Sequence, residues 1–182
     1  MIRLFVSLEV PAEIRERLGL LCCDVPGARW SDPEQLHLTV RFIGEVEEHV
    51  FAEIRDGLSS VRADPFDLVL SGVGHFPPRG QPRVLWAGLE RSEALEILHQ
   101  RIDRAVVRAG VAPEGRKFSP HITLARLKGA SARAVGSFLS CNGRFRTEPI
   151  RVDRFWLYSS QLSHKKAVHR PEAEYPLGDA LL

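Results

Sequence analysis

The stretch LHLTVRFIG, residues 36–44, decides how the chain is read. Leu36, Leu38, Val40 and Phe42 alternate with His37, Thr39 and Arg41. A side-chain period of two belongs to a half-buried β-strand. The aliphatic set therefore predicts a core face, and His37, Thr39 and Arg41 predict the opposite one. The spelling returns in FSPHITLARL, residues 118–127, where His121 and Thr123 again stand two apart. The whole chain holds three threonines and seven histidines. Random placement would set a histidine two positions before two of those threonines about half a per cent of the time. Residues i and i+2 of a strand share a face, so each stretch presents an imidazole beside a hydroxyl. A lone histidine in a strand is ordinarily core or surface, and threonine sits there for its β-propensity. The repetition of the pair is what turns the reading towards a site.

Around these two strands, residues 2–10 predict a buried strand, and Pro11 suits the first turn of a helix reaching to about Cys23. Val50, Ile54, Leu58 and Val61 have helical spacing within 47–61. Residues 65–76 and 83–90 predict strands on either side of the loop PPRGQP, 77–82. Ser92 is positioned to cap a helix whose apolar stripe is Leu95, Leu98, Ile102, Ala105, Val106 and Ala109. Residues 112–117 predict a loop. Pro120 cannot donate to a ladder, so the strand over 118–127 begins or bends there. A short helix is predicted over 131–140, and strands over 150–162 and 167–177. Several strands follow one another directly. That favours an α+β fold with antiparallel sheets over a doubly wound parallel sheet.

The chain has 182 residues, of which 44% are hydrophobic, and no linker interrupts it. One compact domain over 1–182, or two small lobes folding together, is expected. The net charge of +2 excludes the strong basic field of a protein that grips long polyanions, and leaves a small anionic substrate or an RNA end. Cys22, Cys23 and Cys141 are odd in number and two are adjacent. That is no disulfide framework, so a reducing, cytoplasmic setting is expected. No stretch reaches the roughly 18 apolar residues of a membrane helix, and the N-terminal segment lacks a signal-peptide h-region. His164 and His169 do not have zinc-ligand spacing, so no metal is expected. The glycines of GVGHFPPRG, residues 72–80, precede no helix start, which excludes a phosphate loop.

Acid–base chemistry near neutral pH calls for two groups that titrate near 7, and histidine is such a group. In-line displacement at phosphorus needs a base on the attacking side and an acid on the leaving side. Two histidines facing each other across a groove meet that need. The threonine hydroxyls can hold the non-bridging oxygens, where charge must be stabilised. Arg41, in phase with His37 on a regular strand, is a candidate phosphate ligand. Arg126 is out of phase with His121 and reaches the phosphate only if a bulge or strand end re-aims it. Phe5 and Phe42 are candidates to stack a base, Phe42 being assigned to the core by alternation. Trp86 is expected in the core. Spacing alone does not say which histidine is acid and which is base.

The segments LFVSLEVPAEIRERL, LHLTVRFIGEV, GVGHFPPRGQPRVLWAGLE, FSPHITLARL and LYSSQL, in this order, resemble the two-histidine phosphoesterases with paired His-x-Thr motifs. The branch they resemble is the RNA 2′,3′-cyclic phosphodiesterase, or 2′-5′ RNA ligase (LigT-like), family. The resemblance implies a bilobal α+β fold, with two antiparallel sheets related by a pseudo-two-fold around a central cleft. It implies metal-independent hydrolysis of a terminal 2′,3′-cyclic phosphate to a 2′-phosphate, with His37 as general acid and His121 as general base. Thr39 and Thr123 would hold the phosphate. It implies no cofactor, no obligate protein partner and a monomer acting on RNA ends or small cyclic nucleotides. Reverse 2′-5′ ligation, ADP-ribose cyclic phosphate or 2′-5′ oligonucleotides as substrates, and a non-catalytic nucleotide-binding module are the alternatives. The last hairpin keeps Lys165, Lys166 and Arg170 but adds Glu172 and Glu174, a departure that bears on how an RNA end is held.

Overall fold

The computed structural model describes residues 1–21, 24–163 and 166–178. Its elements are β1 (Ile2–Glu9), α1 (Ala12–Leu20), β2 (Ala28–Trp30), a 3-10 turn (Pro33–Gln35), β3 (His37–Val46), α2 (Glu48–Leu58), β4 (Phe66–Leu68), β5 (Leu70–Phe76), β6 (Val84–Leu89), α3 (Glu93–Arg108), β7 (Ile122–Leu127), α4 (Ala132–Asn142), β8 (Ile150–Val152), β9 (Arg154–Leu162) and β10 (Ala167–Pro176). One four-stranded sheet has the order β10-β9-β1-β3, and a second has the order β2-β7-β6-β5. Every pairing within them is antiparallel. The α+β class is as expected, with two four-stranded antiparallel sheets and, beside them, an antiparallel pair of β4 and β8.

The two sheets repeat one arrangement. The first motif strand, β3, lies beside β1, and the second, β7, lies beside β6. Each carries a one-residue bulge at the same place. On β3 the register passes from Ser7–Thr39 to Val6–Arg41 and skips Val40. On β7 it passes from Trp86–Thr123 to Leu85–Ala125 and skips Leu124. A bulge sets two residues against one, so the alternation changes phase after it. Val40 and Arg41 both turn inward as a result, as do Leu124 and Ala125.

The core forms where the sheets' apolar faces meet the helices. Leu4, Val6 and Leu8 of β1, Ile54 and Leu58 of α2, and Leu95, Leu98 and Ile102 of α3 are essentially inaccessible. Burying such a side chain stabilises the fold by about 1.5–3 kcal/mol. The expected cap is in place, with Ser92 Oγ accepting from the Leu95 amide at 3.2 Å. Ser131 Oγ caps α4 in the same way through the Ala134 amide.

β2 was not anticipated, since three residues are too few to show a period. Two expected strands need correction. The predicted strand over 65–76 divides at Val69 because its first part pairs with β8 and its second with β6. The predicted strand over 150–162 divides at Asp153 for the matching reason. Cys141 is a free thiol. The expectations for Cys22, Cys23, His164 and Lys165 fall outside the described residues. No helix among the described residues is long and apolar enough to cross a membrane.

Candidate active site

Alternation along β1 sets Arg3, Phe5, Ser7 and Glu9 on the face opposite the core. The register sets Thr39 beside Ser7 and His37 beside Glu9. In the other sheet Thr123 lies beside Trp86. A cavity of about 410 Å³ joins the two faces, and both His-Thr pairs line it: His37 with Thr39, and His121 with Thr123. The structure thus brings together the four side chains on which the sequence reading turned.

Both imidazoles are oriented by the same device. His37 Nδ1 donates to the carbonyl of Gln35 at 2.6 Å, and His121 Nδ1 donates to the carbonyl of Ser119 at 2.7 Å. A carbonyl only accepts, so the proton of each neutral ring is on Nδ1 and Nε2 is left with its lone pair. His37 Nε2 accepts from the Thr39 hydroxyl at 3.1 Å. Burial holds the His37 pKa below the ordinary value. The Gln35 carbonyl opposes that shift, and the nearby His169 and His121 add to it. Phe5 stacks on His37 at 5.0 Å between centroids, and Phe76 meets His121 edge-on at 4.9 Å.

Arg41 is not in the cavity. The bulge at Val40 turns it inward, where it is 4% exposed. Its Nε donates to Asp103 at 2.6 Å, and its Nη2 donates to the carbonyl of Ala112 at 2.7 Å. Its Nη1 donates to the carbonyl of Phe42 and lies 3.5 Å from Glu114. Arg41 therefore ties β3 to α3 and to the loop that leads into the second motif. One helical turn from Asp103, His99 Nδ1 donates to the carbonyl of Val40 at 2.9 Å and stacks on Phe118. The bulge is thus gripped from α3 at two successive residues.

The same change of phase brings Phe42 and Arg126 out. Phe42, assigned to the core by alternation, is 53% exposed and lines the cavity. Arg126 lines it too, re-aimed by the bulge at Leu124. The two occupy corresponding positions in the repeat, one apolar and one cationic. Trp86 is also not a core residue. It is partly exposed on the Thr123 face and lies across Gly74, where a Cβ would come within 2.2 Å of the indole.

Sequence reasoning missed His169 and Gln35. His169 projects from β10 into the cavity, and its centroid lies 5.4 Å from that of His37. Burial lowers its pKa. Its signal was a place on a strand at the far edge of the β1 sheet, which spacing cannot connect to His37. Among the described residues, no group of three or more His, Cys, Asp or Glu side chains is placed to hold a metal ion.

A family model described as the 2′-5′ RNA ligase superfamily matches residues 9–163. An RNA 2′,3′-cyclic phosphodiesterase of Aeropyrum pernix is 36% identical over 141 residues, 76% of this chain and 80% of that protein. One of Thermotoga maritima is 30% identical over 174 residues, 92% of this chain and 91% of that protein. The crystal structure of E. coli LigT complexed with 3′-AMP superposes with a TM-score of 0.79 at 26% identity. The match covers 98% of this chain and 99% of that one.

Proposed function

The chain belongs to the 2′-5′ RNA ligase superfamily, and we propose that it works as an RNA 2′,3′-cyclic phosphodiesterase. The observation that carries this reading is the pair of bulged strands, each aiming one imidazole and one hydroxyl into a single cavity. The cyclic phosphate lies between the two pairs, with Thr39, Thr123 and Arg126 about its non-bridging oxygens. His121 Nε2 takes a proton from water as the water oxygen bonds to phosphorus. The P–O3′ bond breaks on the opposite side, and His37 Nε2–H delivers a proton to the departing 3′ oxygen. The product keeps a 2′-phosphomonoester.

The resting His37 favours its neutral form because it is buried. An arriving phosphate brings negative charge against that ring and favours the proton the acid step requires. Thr39 suits both states. Its hydroxyl donates to neutral Nε2 and can rotate to accept from Nε2–H or to donate to phosphate. One chain supplies both pairs, so the bilobal whole acts as one unit and its site is complete in a monomer.

The test is turnover of an oligoribonucleotide ending in a 2′,3′-cyclic phosphate, with EDTA present. His37→Ala and His121→Ala should each lose about two to four orders of magnitude in rate. Near wild-type turnover by either variant would sink the two-histidine mechanism.

A further inference from the structure

His37 opens β3 and His121 immediately precedes β7, so the two imidazoles belong to different sheets. Their own carbonyls orient each ring but leave the distance between them unset. An in-line displacement needs that distance held, since a misplacement of about 1 Å can cost 100-fold in rate. His99, in the second turn of α3, reaches both motifs from outside the cavity. Its Nδ1 donates to the carbonyl of Val40, the residue after Thr39, at 2.9 Å. Its ring lies flat on Phe118, 3.9 Å between centroids with planes 4° apart. Phe118 directly precedes Ser119, whose carbonyl holds His121 Nδ1. We propose that His99 is a positioning residue, a strap from β3 to the segment before β7 that sets the separation of His121 from His37. The proposal rests on the phosphodiesterase reading above.

The two histidines differ in what else fixes them. His37 is a member of the β3 ladder, paired with Glu9 of β1. Phe118–His121 lie ahead of β7, outside its ladder, which ends at the Ala87–Ile122 pair. The height of His121 over the cleft therefore depends on contacts such as that of Phe118. The helix that supplies the contact is itself fixed, because Leu95, Leu98 and Ile102 are essentially inaccessible in the core.

A second tie runs beside the first. Helix positions four apart share a face, which puts Asp103 beside His99. Asp103 accepts from Arg41 Nε at 2.6 Å, and the same guanidinium donates to the carbonyl of Ala112 and lies 3.5 Å from Glu114. That tie ends four residues or more short of Phe118. The His99 tie ends one residue from Thr39 and one from Ser119, so it acts on the site most directly. An imidazole makes both contacts at once, with a donor at its edge and a flat face. Glutamine retains a donor, and phenylalanine retains a face. A strap in series fails when either end is cut, whereas independent packing losses add.

The experiment measures kcat and KM for an oligoribonucleotide ending in a 2′,3′-cyclic phosphate, well below each Tm, and records the His121 ring resonances by NMR. His99→Ala should lower kcat by about 10–100-fold through misplacement of His121. KM should change little, because strand pairing with β6 and β2 holds Thr123 and Arg126 in place. His99→Phe and His99→Gln should each lose nearly as much kcat as His99→Ala, and all three should shift the His121 resonances. Ser92→Ala, which weakens the same helix at its cap, should melt lower and leave kcat and those resonances unmoved. An unchanged kcat in His99→Ala, a loss confined to one of the two partial variants, or an equal loss in Ser92→Ala overturns the strap and leaves the phosphodiesterase standing. A wild-type protein that turns over no cyclic phosphate overturns the reading beneath it. The His121 resonances decide the strap in that case too, and their standing still in His99→Ala would refute it.

Discussion

Arg41→Ala and Arg126→Ala separate two roles that the sequence assigns to one residue type. Regular alternation makes Arg41 the phosphate ligand. The structure instead buries it against Asp103 and Glu114, with the carbonyls of Phe42 and Ala112 as further acceptors. Alanine at 41 leaves Asp103, 27% exposed at its side chain, without that partner, and orphans the carbonyls of Phe42 and Ala112. Breaking a buried charge pair by removing one partner costs about 3–5 kcal/mol. A domain of this size loses about 2–4 °C of Tm per kcal/mol, so Tm should fall by roughly 10 °C. Arg41→Lys should recover only part of the loss, since an ammonium cannot span the guanidinium's fixed fork of donors. Arg126→Ala should melt within about 2 °C of wild type, as exposed substitutions do. Its kcat/KM should nevertheless fall by about 10–100-fold, the worth of one hydrogen bond to a charged group. Thermal melts monitored by circular dichroism, with turnover measured well below each Tm, decide the matter. If Arg41→Ala melts like wild type and loses its activity while Arg126→Ala keeps its own, the bulge argument is wrong.

Three further outcomes are expected. Gly74→Ala should cost about 1–3 kcal/mol and shift tryptophan fluorescence, because the new methyl would meet the Trp86 ring at 2.2 Å and push it off the sheet. Ser92→Ala should cost about 1 kcal/mol in urea denaturation through loss of the α3 cap, with little effect on turnover. His37 and His169 both have pKa values lowered from 6.5 by burial, so the unfolded chain binds more protons than the folded one in the window below 6.5. Their contribution to stability is therefore fully present above pH 6.5 and is lost as pH falls through the folded values. His37→Asn and His169→Asn should each flatten the rise in urea midpoint between pH 5 and pH 7.5.

What the sequence made legible follows from which physical rule governs each residue. His37 and Thr39, like His121 and Thr123, precede their bulge, so a period of two places them correctly. Phe42 and Arg126 follow it, and the same rule places them wrongly, because one inserted residue exchanges the faces of those directly beyond; on β3 a second irregularity at Ile43 then returns Val46 to the core. No local signal marks Val40 or Leu124 as the inserted residue. What holds the Val40 bulge comes from α3, more than fifty residues away in the chain, through His99 and Asp103. His169 escapes for a related reason, since its place depends on the order β10-β9-β1-β3.

The paired bulges also explain how a near-symmetric frame can serve an asymmetric reaction. The frame repeats a strand, a histidine held through Nδ1 by the carbonyl two residues before it, a threonine and a bulge. Identical backbone operations then deliver whatever residue stands three places after each threonine. On one side that residue is Phe42 and on the other it is Arg126. A displacement at phosphorus needs its two sides to differ, since one proton is taken and another given. In this chain the difference is carried by side chains on a repeated backbone, so exchanging Phe42 and Arg126 should disturb the direction of proton transfer more than the fold.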